Sequence, residues 1–182
     1  MSTTSDEALI DRIANGDRLA MQVLYARHHV RVYRFIRGFV RNEATAEDVL
    51  SETFLDVWRQ AGRFERRSSA TTWMLSIARF KALSMVRRRT DEALDEDAAA
   101  RVADTADDPE ATLAAADRAA VLRRCMANLS PEHREVLDLV YYHEQSVAEA
   151  ARVIGVPEGT VKTRMFHARK NLAGLLAAAG LE

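Results

Sequence analysis

The residues best suited to a chemical task lie in the last third of the chain. Across residues 158–178 the cations Lys162, Arg164, Arg169 and Lys170 and the ring of His167 are interleaved with Thr160 and Thr163. Val161 and Met165 recur at helical spacing, so the segment predicts a helix with a buried apolar side and a polar, basic remainder. A cationic helix of this width suits the DNA major groove. What precedes it matters as much. Ser146-Val147-Ala148-Glu149 is a capping box opening a short helix, with Ala148, Ala151, Val153 and Ile154 on its packed side. Gly155-Val156-Pro157 then breaks the chain, and Val156, Val161 and Met165 bury the second helix against the first. A short helix, a tight glycine turn and a longer basic helix make a helix-turn-helix. A basic helix alone reads more simply as a solvated face; the cap and the turn together with it favour DNA binding.

Two other patterns carry charge. Residues 63–89 hold eight bases, Arg63, Arg66, Arg67, Arg79, Lys81, Arg87, Arg88 and Arg89, against the single acid Glu65. That excess fits phosphate contact of strongly salt-dependent affinity. Asp48, Glu52 and Asp56 lie at i, i+4 and i+8, one acidic stripe of a helix whose other face is Leu50, Phe54, Val57 and Ala61. By themselves these acids fit a solvated surface as well as a docking stripe. Enzyme chemistry has no foothold: there is no HExxH, no Gly-rich phosphate loop and no cysteine cluster, and His28, His29, His133, His143 and His167 lack metal-ligand spacing. No catalytic residue, metal or cofactor is expected. His28-His29 reads as part of a surface helix face and Cys125 as a small core residue, with a redox role the less simple alternative.

These patterns need a scaffold, and the composition points to helices. The 182 residues are 48% hydrophobic, with only 7 Gly and 3 Pro, and the net charge is −1, which names no partner. The charge is unevenly spread. Residues 90–110 hold nine acids against the one base Arg101 and lack the apolar surface for a core, so a flexible acidic linker is expected there. Periodicity predicts four helices before it, over 5–15, 19–40, 45–61 and 71–89. Ser5 caps the first and Thr45 with Asp48 the third; Leu24, Val32, Phe35 and Phe39 face inward on the second, and Trp73, Ile77 and Phe80 share one side of the fourth. Beyond the linker, helices are predicted over 113–128, 131–142, 146–154 and 158–178, with Ser130-Pro131-Glu132 a strong restart. The expectation is an all-α chain of two small domains, residues 1–89 and 112–182, joined by 90–111. The polar N-terminus is no signal peptide, no stretch is long and apolar enough to span a membrane, and one cysteine fits a reducing cytoplasm.

At this point the sequence resembles a known family. GVPEGTVKTRMFHARKNL, with LSPEHREVLDLVYYHEQSVAEAARVIG before it, resembles the promoter-reading C-terminal domain of bacterial sigma factors. AEDVLSETFLDVWRQAGRF resembles their core-polymerase-binding helix, and TTWMLSIARFKALSMVRRR their promoter-melting helix. Two domain signatures in order, at this length, point to the extracytoplasmic-function (ECF) group. The resemblance implies docking on core RNA polymerase through Asp48, Val49, Glu52, Asp56 and Trp58. It implies a minus-10 site of Arg63, Phe64, Arg66, Arg67, Ser68, Ser69, Thr72, Trp73, Arg79, Lys81, Arg87 and Arg88. Phe64, Ser68, Ser69 and Thr72 would form the pocket for a flipped base, and Trp73 fits either a stacking platform or a core anchor. The minus-35 base contacts would be Lys162, Thr163, Phe166 and His167, with Arg164 and Arg169 nearer phosphates and Arg152, Thr160 and Lys170 as backbone clamps. The family commonly has Asn where Phe80 stands and Asp where Ser84 stands. Partners implied are core polymerase, promoter DNA and an anti-sigma protein, in a stress or envelope response, with the linker running through the RNA exit path or acting as a plain tether. No regulatory domain is expected beyond the last helix. The alternatives are a stand-alone helix-turn-helix regulator and a helical interaction module.

Overall fold

The computed structural model describes residues 4–93 and 113–180 and comprises two compact helical units. The acidic tract beyond Ala93 lies outside the described residues. Among the described residues there is no strand, and no helix is long and apolar enough to cross a membrane.

The first unit contains α1 (Asp6–Ala14), α2 (Arg18–Arg37), α3 (Glu43–Gln60), a 3₁₀ turn (Ala61–Arg63) and α4 (Ala70–Ala93). Ser5 caps α1, its hydroxyl accepting from the Ala8 N–H. Asp17 caps α2, its Oδ1 accepting from Leu19 N at 2.9 Å and Ala20 N at 3.1 Å. The third helix starts two residues earlier than expected. Asn42, not Thr45, is its cap: Asn42 Oδ1 accepts from the Thr45 N–H at 2.9 Å, and Thr45 is buried one turn in. The second helix stops at Arg37 rather than 40, leaving Phe39 beyond it with its ring edge-on to Phe35. The fourth continues to Ala93, so residues 90–93 are helix rather than linker.

Packing follows α1 on α2, α2 on α3 and α4, and α3 on α4. The core is Leu9, Ile10 and Ile13 of α1, Leu24, Val32, Phe35 and Ile36 of α2, Val49, Phe54 and Val57 of α3, and Met74, Leu75, Ala78 and Ala82 of α4. The last four define the buried side of α4. Its Trp73–Ile77–Phe80 side faces out, with Phe80 71% exposed, while Ala78 and Ala82, four residues apart, are fully buried. Small residues let two helix backbones approach closely, which outweighs the larger side chains' transfer energy where space is short. His28 is likewise not a surface residue. It is buried, with Nε2 2.6 Å from Asp6 Oδ2, while Arg27 Nη1 reaches Asp6 Oδ1 at 2.8 Å. Burial raises the Asp6 carboxyl, but Arg27 and His28 together outweigh it and hold the group below its usual range.

The second unit contains α5 (Leu113–Ala127), α6 (Pro131–Leu137) running into a π-helical turn (Asp138–Tyr142), α7 (Val147–Ile154) and α8 (Glu158–Ala178). Ser130 caps α6, accepting from His133 N. Cys125 is buried in α5. α8 packs chiefly on α6 and α5 rather than on α7. Val161, Met165 and Ala168 form its buried stripe. On α7 the fully buried alanine is Ala150, where Ala148 was expected; Ala148 is half-buried.

Candidate nucleic-acid interface

The turn between α7 and α8 aims the basic helix. Ser146 Oγ accepts from Glu149 N at 3.2 Å, and Glu149 Oε2 accepts from Ser146 N at 2.9 Å, the reciprocal capping box read from the sequence. Gly155 closes α7 at φ +77°, a left-handed conformation that costs a side-chain-bearing residue about 1 kcal/mol or more. Its N–H and that of Val156 both donate to Ala151 O, and Pro157 presets the entry to α8.

With Val161, Met165 and Ala168 buried, the opposite side of α8 presents Lys162, Thr163, Phe166, His167, Arg169 and Lys170, all exposed. Phe166 is 65% exposed, and an open cleft of about 520 Å³ is lined by Val147, Lys162, Met165, Phe166, Arg169 and Lys170. An apolar ring and three cations therefore border one hollow, an arrangement able to meet a thymine methyl and nearby phosphates together. Thr163 Oγ1 donates to Gly159 O at 3.0 Å, which leaves its methyl and oxygen lone pairs for outward contact. The His167 ring stands 6.5 Å from that of His133. Thr160 and Arg164 are half-buried, and Arg152 is exposed on α7. Arg164 lies close enough to α6 to act on Glu132, whose carboxyl is held low first by its own backbone N–H, against a smaller effect of burial, then by Ser130 and Arg164. Sequence reasoning missed Tyr141: it is exposed, and the Arg169 guanidinium lies 5.7 Å from its ring centroid, a cation–π contact that orients the cation.

In the first unit, the loop before α4 is held by its own hydrogen bonds. Ser69 Oγ accepts from Thr72 N at 3.2 Å and lies 2.8 Å from Thr72 Oγ1. Thr72 is 1% exposed, so it braces the loop instead of lining a pocket. Arg66 turns at φ +56° and pairs with Asp11 of α1, and Arg67 pairs with Glu65 at 2.6 Å. Arg63 is exposed and Ser68 half-buried. The Phe64 and Trp73 rings pack at 4.9 Å, both half-buried, so Trp73 is a partial anchor with one face against Phe64. Arg87 and Arg88 are exposed on the distal half of α4, and Arg79 is half-buried.

The acidic stripe of α3 is only partly outward. Asp48 and Glu52 are exposed, but Lys81 of α4 turns toward α3, its Nζ 2.9 Å from Asp56 Oδ2 and 3.2 Å from Glu52 Oε2. Asp56 first, then Glu52, raises the Lys81 ammonium above its usual range, with burial opposing. Lys81 is therefore a tie between helices and not an outward phosphate contact. Val49, at 1% exposed, belongs to the core and offers nothing to a partner. Trp58 is half-buried. Leu55, exposed three residues after Glu52 on the same side, was overlooked because the apolar positions Phe54 and Val57 claimed the pattern.

Residues 24–92 match the Sigma-70 region 2 family and residues 119–172 match Sigma-70, region 4. The chain is 32% identical over 173 residues to the ECF RNA polymerase sigma factor SigM of Mycobacterium tuberculosis, covering 94% of this chain and 85% of SigM. It is 30% identical over 173 residues to the ECF RNA polymerase sigma factor SigK of the same species, covering 93% and 92%. Among solved structures it is similar to CnrH in complex with the cytosolic domain of CnrY, with a TM-score of 0.70, 26% identity, and 96% and 99% of the two chains covered. Region 2 followed by region 4 defines a transcription initiation factor. The chain belongs to the sigma-70 family, among its ECF members. The stand-alone regulator and the interaction module lack this pairing of regions.

Proposed function

We propose that the chain binds core RNA polymerase through the outer side of α3, reads a minus-35 duplex with α8, and opens the minus-10 segment with α4 and the loop before it. The observation that carries this reading is the separation of charge by element: an exposed cationic face on α8, acids on the outer side of α3, and a loop and helix from Arg66 to Thr90 with no acid at all. Lys162, Thr163, Phe166 and His167 are assigned to bases, and Arg169, Lys170, Arg152 and Thr160 to the phosphate backbone. Arg63, Arg87 and Arg88 serve the melted segment, with the Phe64–Trp73 pair as its platform. Asp48, Glu52 and Leu55 dock on a basic surface of core polymerase, where charge gives on-rate and register. The protein acts in the cytoplasm, where core polymerase works. CnrH forms a complex with the cytosolic domain of CnrY. An anti-sigma partner that covers the same faces until a stress or envelope signal frees them is assigned here by that likeness.

The test is co-purification with core RNA polymerase followed by transcription from a random promoter library. Initiation at a defined sequence with minus-35 and minus-10 elements is expected. DNA binding without any programming of core polymerase would overturn the reading.

A further inference from the structure

We propose that Tyr141 is a positioning residue for DNA, its ring holding the Arg169 guanidinium toward a phosphate of the minus-35 duplex. This rests on the role proposed for α8 and extends the site to a residue outside the helix-turn-helix. Among the described residues the Arg169 guanidinium makes no ion pair and no hydrogen bond. The contact it does make is with the Tyr141 ring, whose centroid lies 5.7 Å from the guanidinium carbon. An arginine loose in solvent loses rotamer freedom when a phosphate fixes it; one already held over a ring loses less. The ring attracts the cation through its face, and the N–H donors lie in the guanidinium plane, so the contact leaves donors for a phosphate.

A single exposed aromatic side chain is ordinary; the mount of this one is not. Tyr141 is 63% exposed and stands on the π-helical turn Asp138–Tyr142, a type of turn that recurs at functional sites. The backbone around it is fixed by three hydrogen bonds. His143 N donates to Asp138 O at 3.0 Å, Gln145 N to Leu139 O at 2.9 Å, and Gln145 Nε2 to His143 O at 3.1 Å. Both His143 and Gln145 are buried. Glu144 between them turns at φ +56°, a left-handed conformation that a side-chain-bearing residue keeps only where its surroundings impose it. Val147, at the start of α7 just beyond this turn, borders the same cleft as Arg169, Phe166 and Lys170. The separation of 5.7 Å is near the outer reach of a cation–π contact, about 6 Å, so the effect is modest in water and grows when DNA excludes solvent from the pair. A phosphate carries no sequence information, so the benefit is the same on every promoter sequence.

The experiment uses full-length protein reconstituted with core polymerase. Affinity is measured across a salt series for a duplex promoter recovered from a random library with the wild type, and for a panel of its single-base minus-35 variants. Tyr141→Leu and Tyr141→Gln are each expected to weaken binding about three- to fivefold at low salt, equally across the panel. Arg169→Ala is expected to flatten the slope of log affinity against log salt by about 0.9, one phosphate contact, and the two tyrosine variants by part of that. Tyr141→Phe keeps the ring and should match the wild type. In the Arg169→Ala background, Tyr141→Leu should cost nothing further. Folding is followed by circular dichroism, and no loss is expected because the side chain is exposed. A Tyr141→Leu loss that persists undiminished without Arg169, or that falls on one base position only, would overturn the positioning role. So would an Arg169→Ala loss with no effect of either Tyr141→Leu or Tyr141→Gln. A wild type that binds no promoter, or an Arg169→Ala variant of unchanged affinity, would instead overturn the reading of α8 on which the proposal stands.

Discussion

Replacing Lys81 by methionine removes the tie between α3 and α4 while keeping most of the aliphatic stem. Lys81 Nζ sits 2.9 Å from Asp56 Oδ2, and the two side chains are only 21% and 18% exposed. At an effective dielectric of about 20, unit charges at that separation attract by roughly 6 kcal/mol, and desolvation of the two groups takes back much of it. A net cost of about 2 kcal/mol is expected for the variant, in the range of a charged hydrogen bond. For a unit of this size that is about 10 °C in Tm. The assay is urea unfolding followed by tryptophan fluorescence. Both tryptophans, Trp58 and Trp73, lie in the first unit, so the signal reports that unit alone. A double-mutant cycle with Asp56→Asn isolates the pair, and a coupling of about 1.5–2 kcal/mol is expected. The Lys81 ammonium is raised by its partners, so this coupling is fully present below the usual lysine range and fades only as pH rises through the raised value. A coupling below about 0.5 kcal/mol at pH 7 would refute the reasoning, because it would place the pair among solvated surface contacts.

Other outcomes follow from the same structure. Asp6 is held below its usual range by Arg27 and His28, so its stabilisation is present above the unfolded carboxylate value and is lost as pH falls through the folded one. Asp6→Asn should therefore destabilise the first unit at pH 7, by about 1–2 kcal/mol, and the gap to wild type should narrow in urea titrations as pH falls below the ordinary carboxylate range. Lys162→Ala should cost about 1–3 kcal/mol at one promoter position, measured as binding to a panel of single-base variants; a loss uniform across all of them would demote it to a phosphate contact. Asp48→Arg should weaken capture of core polymerase while leaving the free chain's duplex affinity unchanged. Ser146→Ala should cost about 1 kcal/mol through loss of the capping box, read by hydrogen exchange at the start of α7.

Local chemistry was legible where it acts locally. The caps at Ser5, Ser130 and Ser146, the break at Gly155 and the span of α8 all follow from neighbours within four residues. Features that depend on a distant partner did not. Nothing near His28 reveals Asp6, and nothing near Lys81 reveals Asp56 a helix away. Asn42 hid as a cap because Thr45, three residues on, has the same chemistry and sits inside the helix as Asn42's partner. Which face of α4 is buried was not legible for a different reason. Aromatic and branched residues dominate a periodicity count, yet packing against α2 and α3 buries Ala78 and Ala82, which contribute little to such a pattern. The exposed face of α8 was readable because its buried stripe is short and regular, whereas the outer face of α3 was blurred by Val49, an apolar residue next to an acid in sequence but turned to the core.

The division of α8 has a practical consequence. Val161, Met165 and Ala168 hold the helix to its unit, and none of them is among the exposed positions 162, 163, 166, 167, 169 and 170. On the proposed role of α8, stability and sequence preference thus reside in different side chains of one rod. On that role, its outer residues are the ones to exchange in combination to rewrite which promoters respond, with the inner three kept as an unchanged chassis for a family of mutually insulated genetic switches.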